Sequence, residues 1–332
     1  MKIAFVIGSA ISGKFNGLRV QIATWSDGLE KIGHDVVLIS PWGHYDWKAF
    51  DIIHVVGYGT WLEIVEAIKS RTNAKVVLSP SIDSNRAYFF MKLASYVGTK
   101  LLNITSPLHS LRSVDKFISK YHVRSEYEET YLVKSLGIDK SRIEKIPLSC
   151  RFAGTKSYSK YSREDFCLHV SILSSENKNV RRLIQAAIKY KFRLVLAGSV
   201  GTNNFKRELE EAIASHENIE YLGFVSEERL LELYLRARVF ALPSLFEGVG
   251  LVALEAASMG ADVVLTDRGA PKEYYHGKAF LVDPIDIDEI GLTIERVIAG
   301  DTFQPKLKCF IHQNYNNSKL VQQLANTYSE VL

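Results

Sequence analysis

Short apolar runs and helical stretches alternate along nearly the whole chain. Lys2–Ile7 (KIAFVI) is a compact apolar run that predicts a first strand. Residues 18–33 follow with Leu18, Ile22, Trp25, Leu29 and Ile32 at helical spacing, and Gly33 ends the pattern. Val36–Ile39 predicts the next strand. Further runs of the same kind are Ile52–Val56, Val76–Ser79, Arg142–Ile146, Cys167–Ser171, Leu194–Ala197, Ile219–Leu222, Val239–Leu242, Val263–Thr266 and Ala279–Val282. Helix-period segments lie between most of them. This alternation predicts right-handed βαβ units, parallel sheets and an α/β fold.

The pattern breaks once, at 147–165 (PLSCRFAGTKSYSKYSRED), a polar stretch rich in Ser, Tyr and Lys. It reads as a linker between two doubly wound domains of similar size, 1–150 and 151–313. Such sheets bind ligands outside the C-terminal ends of their strands, here expected on either side of a cleft. The length of 332 residues suits two domains, and 47% hydrophobic against 23% charged residues excludes a disordered chain. No apolar run is long enough for a membrane-spanning helix, and the first segment reads as a strand rather than a cleaved signal. Cys150, Cys167 and Cys309 are scattered, which predicts a reducing, cytoplasmic setting without structural zinc. Residues 1–150 carry a net charge of +5, and the rest a net charge of −1. A basic first half fits an anionic partner, or an ordinary soluble surface.

Several segments carry candidate chemistry. Gly8–Phe15 approaches the phosphate-loop pattern GxxxxGK[ST], but Phe15 stands where a metal-holding hydroxyl is required. Asn16-Gly17, just before a helix, keeps a weaker option of anion binding. Asp286-Ile-Asp288 has the form of a metal-chelating DxD pair, but its place before a helical pattern favours capping. The nine histidines show no HxxxH spacing. Arg86–Lys100 (RAYFFMKLASYVGTK) mixes aromatics with lysines. It reads either as a core-packed helix or as an interfacial helix making peripheral contact with an anionic membrane.

The most informative stretch is Leu242-Pro-Ser-Leu-Phe-Glu247-Gly248-Val249-Gly250-Leu251-Val-Ala-Leu-Glu255-Ala-Ala-Ser-Met-Gly260. A strand ends at Pro243, a glycine-bearing loop carries Glu247, and a small-residue helix carries Glu255. Gly248 and Gly250 permit close backbone approach to a ligand and leave N–H groups pointing at it. Glu255 sits among Ala253, Ala256, Ala257 and Met259, so its carboxylate needs hydrogen-bond donors, and ligand hydroxyls would serve.

This stretch resembles the E-x7-E signature of the retaining, GT-B-fold glycosyltransferases of family 4, with Glu247 and Glu255 at that spacing. The resemblance runs over nearly the whole chain. Asn16-Gly17 with Arg19 is similar to the family's GGxxR loop, Lys31–Val36 to its "RGHEV", and Ser125–Glu128 to its "SEYE". Lys178-Asn179-Val180 is similar to its phosphate-binding "KNV". Ala197-Gly198 is similar to a donor-site turn, Leu222-Gly223-Phe224-Val225 to a base-binding one, and Thr266–Glu273 and Leu281–Pro284 to the end of the donor domain. The last helix, 314–332, is similar to the one that in the family crosses back onto the N-terminal domain.

The resemblance implies two Rossmann-like domains, an acceptor domain over 1–150 and a donor domain over 151–313. It implies a retaining, metal-independent transferase using a nucleotide-diphosphate sugar as co-substrate and a hydroxyl acceptor, with no nucleic acid involved. Lys178 and Glu247 would be catalytic; Gly17, Gly198, Phe224, Val225, Gly248, Val249, Gly250, Leu251 and Glu255 would hold the donor, with Glu255 on the ribose. Two positions depart from the pattern. Ile172 stands where the family usually has an arginine, with Arg181 and Arg182 as substitutes. The segment Leu78–Asp83 lacks the family's usual histidine. These departures keep a second reading open, a non-catalytic glycosyltransferase-like subunit. A third, another GT-B enzyme such as a sugar-nucleotide epimerase, does not explain the paired glutamates.

Overall fold

The computed structural model describes residues 1–8, 17–40, 42–98, 106–153, 161–201 and 203–332. The chain divides into two units, Met1–Ser149 with Asn317–Leu332, and Cys150–Asn316. The first unit ends one residue before the boundary expected from the linker. The second holds on through Asn316, because Cys150 N–H donates to the Tyr315 carbonyl at 2.9 Å and residue 150 bridges residue 316.

The first unit is a parallel sheet of β1 (Lys2–Ile7), β2 (Asp35–Leu38), β3 (Ile52–Val56), β4 (Lys75–Ser79), β5 (Ile118–Val123) and β6 (Ile143–Lys145), in the order β2-β1-β3-β4-β5-β6. Helices Gly17–Lys31 and Asn317–Val331 cover one face, where Ile22, Trp25 and Leu29 meet Val321, Leu324 and Tyr328. Ile32, placed on the buried stripe by its spacing, lies beyond the helix end and is exposed, because Gly33 with φ of +88° turns the chain there. The other face buries Ile53, Val55, Val76 and Leu78 under shorter helices, among them Tyr88–Tyr96, Pro107–Val114 and Glu126–Tyr131.

Strand β5 escapes the hydrophobic pattern, since its residues ISKYHV interleave Ser, Lys and His. Its His122 is nevertheless buried: Nε2 lies 2.9 Å from Thr327 Oγ1 on the last helix. Next to it, His54 of β3 bonds Tyr328 Oη at 2.7 Å and Ser79 Oγ at 2.8 Å. Polar contacts thus seat the final helix where an apolar stripe alone would be expected.

The second unit is a parallel sheet of β7 (Glu164–Val170), β8 (Leu194–Ala197), β9 (Ile219–Tyr221), β10 (Ala237–Leu242), β11 (Asp262–Thr266) and β12 (Phe280–Val282), in the order β12-β11-β10-β7-β8-β9. Its central strands are buried on both faces and read as continuous apolar runs. Both sheets are doubly wound, as the alternating pattern predicts. No helix among the described residues is long and apolar enough to cross a membrane. Cys150, Cys167 and Cys309 are free thiols, the first two buried.

Candidate active site

In the second unit β7 lies between β10 and β8, so the strand order reverses beside it. Chains leaving the C-terminal ends of β7 and β10 part to opposite faces and leave a crevice, the place where open α/β sheets take ligands. Lys178 follows β7 and Glu247 follows β10. The structure brings these two predicted residues together: Lys178 Nζ lies 2.8 Å from Glu247 Oε2.

The pair is held by its backbones. After a tight turn at Glu176–Lys178, Asn179 takes a left-handed conformation with φ of +56° and is buried. Its Nδ2 donates to the Pro243 carbonyl at 2.9 Å and the Pro284 carbonyl at 2.6 Å. Asn177 Nδ2 donates to the Phe246 carbonyl, and Leu245 N–H donates back to Asn177, both at 2.8 Å. On the far side, Glu247 N–H donates to the Arg268 carbonyl, and Ala270 N–H donates to the Glu247 carbonyl, both at 3.2 Å. That turn needs Gly269: φ is +99°, and a Cβ there would stand 2.0 Å from the Glu247 carbonyl oxygen.

Ser244 Oγ donates a further 2.9 Å bond to Glu247 Oε2. One carboxylate oxygen therefore takes both bonds, and no donor among the described residues reaches Oε1. The carboxylate is thus oriented through Oε2 and keeps acceptor capacity on Oε1. Lys178, part-exposed, keeps ammonium protons beyond the one directed at Glu247.

Gly248, Val249 and Gly250 lead buried into the helix Leu251–Ser258. Gly250, with φ of +78°, starts the helix; Ala253 N–H donates to the Gly250 carbonyl at 2.8 Å, which leaves the N–H groups of Leu251 and Val252 without intrahelical partners. Those groups and the helix dipole favour a negative charge.

Glu255, on that helix, is 2% exposed, and its donors come from the protein itself. Arg151 Nε donates to Oε1 at 2.6 Å, and Tyr234 Oη donates to Oε2 at 3.1 Å. Burial pushes the Glu255 carboxyl up, against the pull of Arg151 and Tyr234. The expectation that ligand hydroxyls supply its donors meets a carboxylate already engaged. Arg151 also pairs with Glu227 and lies over the Phe152 ring.

Gly198 ends β8 with φ of +130°, and a Cβ would stand 1.8 Å from the Ser171 carbonyl oxygen, so only glycine fits. Its N–H donates to the Gly223 carbonyl at 2.8 Å, which links it to the turn carrying Phe224 and Val225. Phe224 is largely exposed there. Below, buried His169 donates from Nδ1 to the Ala241 carbonyl at 2.8 Å and accepts from Ser171 Oγ at 2.7 Å. Burial holds its pKa down to about 4, so it is neutral.

Gly17 opens the first helix of the other unit, with open space around it, while Asn16 and the loop 9–15 lie outside the described residues. Ile172 is 52% exposed. Arg181 is committed to Glu176 and Glu208, and Arg182 NH1 bonds Asn179 Oδ1 at 2.8 Å. Asp286 caps the helix Ile287–Ile298 by accepting from Asp288 N–H at 2.8 Å and Glu289 N–H at 3.0 Å. Ser244 and Arg151 escape the sequence reading. Ser244 is a small polar residue in a loop, and Arg151 lies in the stretch read as linker.

Residues 153–316 match the family model described as Glycosyl transferases group 1. Over 148 residues the chain is 31% identical to the O-antigen chain mannosyltransferase B of Escherichia coli, a match covering 42% of this chain and 39% of the relative. Among solved structures, the sucrose-phosphate synthase of Thermosynechococcus elongatus superposes with a TM-score of 0.78 at 14% identity, over 99% of this chain and 98% of that one. The Anabaena protein HepE in complex with UDP and glucose gives 0.75 at 17% identity, over 99% and 100%. The two structural likenesses establish the GT-B fold.

Proposed function

From the match of residues 153–316 to the glycosyl transferases group 1, we propose that the chain is a retaining glycosyltransferase using a nucleotide-diphosphate sugar. The observation that carries this reading is the Lys178–Glu247 pair at the switch point of the second sheet.

Glu247 Oε1 accepts hydrogen bonds from the donor sugar and orients it. As the bond from the anomeric carbon to the diphosphate oxygen breaks, negative charge grows on the leaving group. Lys178 and the N–H groups from Gly248 to Leu251 stabilise that charge, the kind of electrostatic contribution that is usually largest in such sites. The acceptor oxygen forms its bond to the anomeric carbon from the leaving-group face, and its proton passes to the departing phosphate. No side-chain base is then required, which is compatible with the absence of a histidine from Leu78–Asp83. Phe224 and Val225 flank the base, and Glu255, already tied to Arg151 and Tyr234, shapes the ribose side of the site.

Cationic side chains and the helix terminus do the work of a metal ion in this scheme, so transfer persists in EDTA. If chelation abolishes turnover and Mg²⁺ or Mn²⁺ restores it, the scheme fails. Isothermal titration with UDP and GDP, followed by donor screening with a hydrolysis readout, tests the transferase reading. The name of the Escherichia coli relative makes a mannosyl donor the first to try. A second reading, a non-catalytic subunit, is favoured by Ile172 at the position of the usual arginine. It predicts that no nucleotide or donor binds.

A further inference from the structure

The helix Tyr88–Tyr96 in the first unit carries its apolar residues outward. Phe89 is 69% exposed, Phe90 66%, Leu93 56% and Tyr96 60%, and Val97 just past the end is 55% exposed. Positions 89, 93 and 96 follow helical spacing along one face, with Phe90 at its border. Only Met91 and Ser95, on the opposite face, are buried. A helix on a watery surface ordinarily inverts this arrangement, and a contiguous apolar face of this kind marks an interaction site.

The charge along that stretch of chain has one sign. From residue 84 to residue 114 the sequence holds no Asp or Glu, in a chain with 37 acidic residues, while Arg86, Lys92, Lys100 and Arg112 fall inside the stretch. The two elements that pack most extensively against the helix, Pro107–Val114 and the turn Leu132–Leu136, also lack acidic residues. On the helix Glu126–Tyr131, which reaches Tyr88 through Tyr131, Glu126, Glu128 and Glu129 are paired with Lys145, Arg124 and Lys140. Cations of the first two elements rim the aromatic rings. The Arg112 guanidinium lies 4.0 Å from the Tyr96 ring centre, and Lys134 Nζ lies 5.2 Å from that of Tyr88. Lys92 stands exposed on the helix itself.

We propose that this face seats the first unit on an anionic lipid surface, with Phe89, Phe90, Leu93 and Tyr96 entering the headgroup boundary and Lys92, Arg112 and Lys134 meeting lipid phosphates. Apolar residues flanked by cations are the physical requirement for a helix lying in the membrane interface. A two-fold pairing of the same face with a second copy fits less well, because it would set Lys92 and its neighbours against their own images with no carboxylate between them. The proposal does not depend on the transferase reading.

Co-sedimentation of the full chain with vesicles tests it. Wild type is expected to sediment with phosphatidylglycerol vesicles, far less with pure phosphatidylcholine, and less again as salt rises. The double variant Phe89→Ser/Leu93→Ser removes only exposed side chains and so keeps the fold. It should lower phosphatidylglycerol binding about tenfold or more, and Lys92→Glu/Lys134→Glu should lower it as well. Equal binding of wild type and the Phe89→Ser/Leu93→Ser variant would overturn the proposal, as would no binding at low salt. A wild-type dimer that the same variant turns into a monomer would assign the face to a second copy instead.

Discussion

Arg151, two residues into the second unit, donates from Nε to the buried carboxylate of Glu255, 104 positions further along the chain, at 2.6 Å. The bond ties the start of the unit to the helix that follows the Gly248–Gly250 turn.

Breaking one side of this pair leaves a buried charge without its partner. Arg151→Ala should destabilise the second unit by about 3 kcal/mol, the lower end of the range for a buried ion pair, since Arg151 keeps some contact with water. Glu255→Ala should also destabilise, since it strips Arg151 and Tyr234 of their acceptor. Arg151→Met/Glu255→Gln should recover most of the loss. Urea denaturation of the three variants decides it, and a stable Glu255→Ala protein with weakened nucleotide binding would instead make Glu255 a direct ligand residue.

Gly269 bears on the site through the backbone of Glu247. Gly269→Ala forces a Cβ into the space of the Glu247 carbonyl, at a φ that disfavours it. The strain is worth about 1–3 kcal/mol, and relief moves Glu247 away from Lys178. A displacement near 1 Å costs on the order of 10²-fold in turnover. Steady-state kinetics with unchanged kcat would show that this turn does not organise the site.

Acid should weaken the first unit ahead of the second. Burial holds His122 down to about 3 and His54 well below its ordinary value, while in the second unit His169 lies at about 4. These groups stay neutral in the fold but charge in the unfolded chain below about pH 6.5. Stability is therefore full above that pH and falls as pH drops toward the folded values, by about 1.4 kcal/mol per pH unit for each histidine. Urea midpoints at pH 7 and pH 5, with probes in each unit, measure it. His122→Gln should flatten the slope in the first unit alone, and an unchanged slope would contradict the assignment.

Much of this architecture is legible from hydrophobic periodicity, because central parallel strands are buried on both faces and give unbroken apolar runs. Strand β5 departs furthest, since Lys120 and His122 both find their partners, Glu330 and Thr327, on the last helix. Glu247 and Lys178 are legible through local motifs. What those motifs do not carry is the far end of each contact. Nothing near Arg151 in the sequence marks Glu255, the carboxylate it meets 104 positions on, and Ser244, three residues before Glu247, has nothing to set it apart from other loop serines. The helix Tyr88–Tyr96 reads as core at least as readily as interface until its exposure is known, because its composition is apolar on every face but one.

The central claim is that Lys178 acts on charge that grows as the donor bond breaks. Lys178→Ala should lower kcat by about 10²–10³ while the affinity for the nucleoside alone, which lacks the diphosphate, changes little. The decisive measurement is kcat for sugar transfer by wild type and Lys178→Ala with the preferred donor, alongside titration with the nucleoside. A large fall in kcat with near-equal nucleoside affinity is the predicted result. An untouched kcat would contradict it and place the diphosphate elsewhere.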